Sequence, residues 1–142
     1  MNADRESGCN ICIVQSGANP TINIQQDGDA NFIVDEDWSG PATVTGDNLV
    51  LNIKQGNVTT TGSSDENGIG LYINGDNTNL TINQGDHAND QGEHKIVLDI
   101  NGASNVMNLT QYDGGTLSKH FFEGDIDGGS NNFTITQKDN GQ

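Results

Sequence analysis

The chain has 142 residues, 20 Asp/Glu against five Lys/Arg, a net charge of -15 and only 31% hydrophobic residues. One domain is the expectation at this length, and so acidic a balance argues against binding nucleic-acid backbones or anionic membrane surfaces. No apolar run reaches the roughly 18 residues that a membrane-spanning helix needs.

Residues 1–10 read as a polar lead. They carry no apolar signal stretch, so a protein outside the usual secretory route is expected. Cys9 and Cys12 form a single C-x-x-C. A structural zinc needs four ligands and a thioredoxin-type site needs a βαβ frame, so one strand Cys and one surface Cys is the reading.

From residue 11 the chain alternates. A first repeat near 11–26 places Ile11, Ile13 and Gln15 at period 2 before Gly17, then Asn19, Ile22, Ile24 and Gln26. Period-2 alternation is the strand signal. Residues 26–34 follow as a second turn and a short apolar strand, expected as an extra side of the first turn. Trp38 sits in the acidic stretch 35–41 as an end cap over the core or as a partner contact. The second repeat lies near 42–55, then a polar loop over 56–68. The third, near 69–84, is followed by an acidic loop with His87. The fourth lies near 96–111 and the fifth near 122–137, and 138–142 is a polar tail.

Aligned, the five repeats share a fixed set of side chains. The corner glycines are Gly17, Gly46, Gly75, Gly102 and Gly128, spaced by 29, 29, 27 and 26 residues. Asn19, Asn48, Asn77, Ser104 and Ser130 follow two residues later, and Gln26, Gln55, Gln84, Gln111 and Gln137 close each unit. A near-constant period of this kind marks a repeat architecture. The fold expected is an all-β solenoid of five strand-corner-strand rungs over 11–137. The glycines supply φ > 0 at the corners, and the Asn/Ser and Gln columns stack as ladders. A solenoid also answers the low hydrophobic content, because each rung shares its core with its neighbours.

This pattern resembles the curlin repeat family, whose glutamine, glycine and asparagine recur in strand-turn-strand units. The closest local matches are Gln26-Asp27-Gly28-Asp29-Ala30-Asn31 and Gln84-Gly85-Asp86-His87-Ala88-Asn89. The period here is longer than that family's repeat, and the loops are irregular. The resemblance implies subunits that stack end to end into secreted fibres.

No catalytic constellation stands out and no cofactor is implied. His87, His94 and His120 lie in loops or at loop edges without ligand spacing. Asp27 with Asp29, and Asp125 with Asp127, read as turn residues rather than calcium ligands. N-x-S/T sequences at Asn57, Asn79, Asn108 and Asn132 arise largely from the strand alternation. The expected function is therefore non-enzymatic and structural. The first reading is a phage virion component, such as a tail, fibre or surface decoration. The alternative is an extracellular curli-like fibre subunit in adhesion or matrix. Expected partners are further copies or other structural proteins, with a surface glycan or receptor met through the loops.

Overall fold

Alternating sequence makes strands and a short glycine corner turns the chain, so each repeat folds as strand, corner, strand. The computed structural model describes residues 10–12, 14–26, 32–34, 41–55, 67–85, 93–113 and 119–139. Every regular element among them is a strand. In chain order they are β1 (Asn10–Cys12), β2 (Val14–Ser16), β3 (Thr21–Gln26), β4 (Phe32–Val34), β5 (Ala42–Thr45) and β6 (Val50–Gln55). Then come β7 (Asn67–Asn74), β8 (Asn79–Gln84), β9 (Glu93–Asn101), β10 (Val106–Asp113), β11 (Lys119–Asp127) and β12 (Asn132–Asp139).

Two parallel sheets result. The closing strands form a five-stranded sheet in the order β12-β10-β8-β6-β3. The opening strands form the other, running β11-β9-β7 and then continuing as two short lines, β4-β1 and β5-β2. Five rungs are thus stacked in register, and equivalent residues pair: Leu51 with Leu80, Leu80 with Met107, Met107 with Phe133.

One difference from the sequence expectation concerns residues 32–34. Ile33 pairs with Ile11 on one side and Ile69 on the other. The segment is therefore the opening strand of the second rung, not an extra side of the first, and that rung begins at Phe32 rather than near 42. Ile33 and Ala42 stand opposite Ile69 and Leu71, which are consecutive inward residues of β7. The intervening residues interrupt the alternation, and that is why the sequence splits the rung.

The core lies between the sheets. Ile33, Val44, Leu51, Leu71, Ile73, Leu80, Ile82, Ile96 and Ile100 are completely buried, each contributing about 1.5–3 kcal/mol by burial. Parallel ladders leave no room for variation at the corner. A Cβ at Gly46, Gly75, Gly102 or Gly128 would collide with the backbone carbonyl of the glycine one rung earlier. The glycines are needed for this close approach as much as for their dihedrals. The left-handed conformation itself falls on Asn19, Asn48, Asn77, Ser104 and Ser130, with φ between 57° and 61°, where Asn is the best tolerated non-glycine residue.

Candidate functional site

The glutamine column is a continuous ladder, buried from Gln26 to Gln111 and exposed at Gln137. Gln55 Nε2 donates to Gln26 Oε1 at 2.7 Å, Gln84 to Gln55 at 3.0 Å, Gln111 to Gln84 at 3.0 Å and Gln137 to Gln111 at 2.8 Å. The same amides also donate across to the opposite sheet. Gln84 Nε2 reaches the carbonyls of Asn67 and Lys95, and Gln111 Nε2 those of His94 and Phe121. The ladder thus ties the end of each closing strand to the beginning of the opening strands, and buried amides that make these bonds avoid a large desolvation penalty.

The Asn/Ser column stacks at the corner, but with different bonding from that expected. The side chains of Asn19, Asn48, Asn77, Ser104 and Ser130 are exposed. The ties run through the backbone, with Asn48 N–H donating to Asp76 O and Asn77 N–H to Ala103 O. Asp47 and Asp76 add side-chain ties, accepting from the backbone N–H of Asp76 and Ala103 at 3.0 and 2.6 Å. A second buried column, absent from the sequence expectation, lies one residue after the corner. Asn105 Oδ1 accepts from Thr78 N–H at 2.7 Å, and Asn131 Oδ1 from Asn105 N–H at 2.9 Å. The signal that would have found it is the change of this position from Leu49 to Thr78, Asn105 and Asn131.

His94 and His120 stand at the loop edge, each the second residue of its strand, and pair in register on β9 and β11. Their rings stack with centroids 5.5 Å apart and planes 15° apart. His94 is completely buried, with Nδ1 lying 3.2 Å from Asn67 Nδ2. Burial foremost, and then the charge of His120, lower its pKa to about 4, against the opposing effect of a backbone hydrogen bond at Tyr112. His94 is therefore a neutral core residue at physiological pH. His87, Cys9, Trp38 and the Asp27/Asp29 pair lie outside the described residues, and no group of three or more His, Cys, Asp or Glu among the described residues is placed to hold a metal.

The two ends of the stack are unlike. On the first rung, Ile24 is 8% exposed and Gln26 3%; on the last, the equivalent Ile135 is 43% exposed and Gln137 is exposed as well. Phe122, Ile126 and Phe133 pack against the core from this last rung and are only partly buried, as are Ile11 and Ile22 of the first. β11 and β12 end their sheets, as β1, β2 and β3 do on the opposite side, and such an edge of backbone donors and acceptors is the ordinary template for a further strand. The open last rung is the candidate docking site. Of the residues singled out by sequence, it carries Gly128 and Ser130 at its corner and Gln137 near its closing end. Compared with known protein families, with curated proteins and with solved structures, the chain matches none.

Proposed function

We propose that this chain is a non-enzymatic structural protein that joins a larger assembly through its open last rung, as a component of a virion. The observation carrying this reading is the inequality of the ends. Ile135 and Gln137 are exposed where Ile24 and Gln26, at the same positions of the first rung, are buried. A solenoid whose last rung is less covered than its first at these positions suits attachment of that rung to a different structural protein, for example on a phage tail, fibre or capsid surface.

One feature favours a second reading, a curli-like fibre. The glutamine ladder is polar: every Nε2 donates toward the first rung. Gln137 Oε1 therefore stands at the end of the ladder, where the amide of a following rung would donate to it. Cryo-electron microscopy of the native assembly separates the two. On the first reading, the last rung continues into a β-strand of a different protein, and Ile135→Lys abolishes incorporation. Copies stacked head to tail along one axis, at the ~4.8 Å rung spacing, would replace the virion reading by the fibre. A last rung facing solvent in the assembly would sink both.

A further inference from the structure

Of the two strand edges of the last rung, β11 carries the stronger chemical signature. Its outward positions, Phe121, Glu123, Asp125 and Asp127, are all exposed. Its inward residues Phe122 and Ile126 pack against the core and are only partly buried. Gly124 stands between them, in the column of Leu71 and Leu98. The Phe122 ring folds over it, so that a Cβ there would meet the ring's Cζ at 2.8 Å. The open side of β11 is therefore a row of backbone donors and acceptors, with an apolar strip toward the core and three carboxylates toward solvent. Such an edge accepts a further strand, and the flanking side chains select which one.

The carboxylates follow one another at every second residue, about 6.6 Å apart. A strand added in parallel register places its own outward side chains about 4.8 Å from them, where like charges repel and opposite charges attract. Asp125 already has Asp99 of the rung beneath beside it, which adds to the negative potential. That same rung supplies a precedent for the opposite charge. Lys95 stands in register with Phe121, and its Nζ lies 5.2 Å from the centroid of that ring, a cation–π contact. Phe121 is still 47% exposed, which leaves ring surface for a second cation. A copy of this chain does not supply one. Stacked head to tail in the same register, its first rung would bring Asn10, Val14 and Ser16 to the columns of Phe121, Asp125 and Asp127, and none of these is a cation.

Given a docking role for the last rung, on which this inference rests, we propose that the partner is a different protein that adds a basic amphipathic β-strand to β11. Lys or Arg occupies its outward positions, facing Phe121, Glu123, Asp125 and Asp127. Apolar residues occupy its inward positions, over Phe122, Gly124 and Ile126. The apolar strip gives contact area and the charges give selectivity. The carboxylates act in two directions, repelling copies of a chain at -15 and attracting a cationic strand.

The test uses the full chain and three end-blocked peptides as probes. They are Thr-Lys-Val-Lys-Leu-Lys-Val-Lys, its analogue with glutamate for every lysine, and an isomer of the first with its lysines in one block. Calorimetry gives the affinities, and amide shifts in 15N-labelled protein give the location. The alternating lysine peptide is expected to bind saturably, to shift β11, and to weaken as salt is raised. The block isomer is expected to bind at least about tenfold more weakly, and the glutamate analogue not to bind. Glu123→Gln, Asp125→Asn and Asp127→Asn combined, all on exposed side chains, are expected to weaken the alternating peptide at least about tenfold without loss of stability. Equal affinity for the block isomer, shifts away from β11, or unchanged affinity in the triple variant would overturn the proposal. So would a second copy of the chain seated on β11, or the absence of saturable binding, which would leave the carboxylates as a guard on the edge. Because the peptides meet the isolated chain, their failure leaves the docking role of the last rung standing; a last rung facing solvent in the native assembly removes that role and the added strand with it.

Discussion

The middle of this solenoid and its last rung are built from the same repeat, and they are physically different objects. Ile82 on the third rung is completely buried, whereas Ile135, the same position on the fifth, is 43% exposed. Gln84 has an amide on either side of it, and Gln137 on one side only. In a stacked fold the environment of a residue is set by its neighbours along the stack. Sequence identity of the repeats therefore does not mean equal energetic weight, and the end rung is where the fold has contacts left to make.

The largest expected effect tests that contrast in the core. Ile82→Ala removes packing from both neighbouring rungs, and a loss of about 2–5 kcal/mol is expected. Ile135→Ala, half in solvent, should cost under ~1 kcal/mol. Urea unfolding of the two variants checks the difference; equal losses would mean that the last rung is already as well covered as the third.

Next is the buried histidine. The folded pKa of His94 lies near 4, below the ordinary value of 6.5, so the unfolded chain binds the proton more readily. Its contribution is fully present above pH 6.5 and is lost as pH falls through about 4, amounting to on the order of 3 kcal/mol. Thermal unfolding between pH 7 and 4 should show this loss in the native chain and a flatter profile in His94→Gln. A profile unaltered by the substitution would assign the acid sensitivity to other groups.

The smallest contrast is in the ladder. Gln84→Leu strands Gln55 Oε1, which loses its donor, and Gln111 Nε2, which loses its side-chain acceptor. A cost of about 1–3 kcal/mol follows from leaving buried polar groups unpaired. Gln137→Leu leaves only Gln111 Oε1 without its donor and places the new side chain at the exposed end, so less than half that cost is expected. A neutral Gln84→Leu would show that solvent reaches the ladder.

Much of the fold was legible because stacking imposes identity. Side chains that lie above one another must be compatible with themselves, so the glycine, Asn/Ser and glutamine columns are written into the sequence at a readable period. The start of the second rung is not legible, because residues 34–41 separate Ile33 from Ala42 and break the alternation on which strand recognition depends. The stacking of His94 on His120 is not legible either, because each is a loop-edge residue in its own repeat. Only superposition of the rungs puts one ring on the other.

The sequence by itself determined the all-β class, the five rungs, the corner glycines and the glutamine ladder, since these follow from local periodicity and the residue types each position tolerates. Tertiary structure alone decided which carbonyl excludes a Cβ at each corner, that β4 and β5 share one rung, and that His94 is buried and neutral. It also decided that Ile24 and Ile135, at equivalent positions of the two ends, are unequally covered. Those are properties of what lies beside a residue in space, 26 to 29 positions away along the chain, and alternation along one strand carries no record of them.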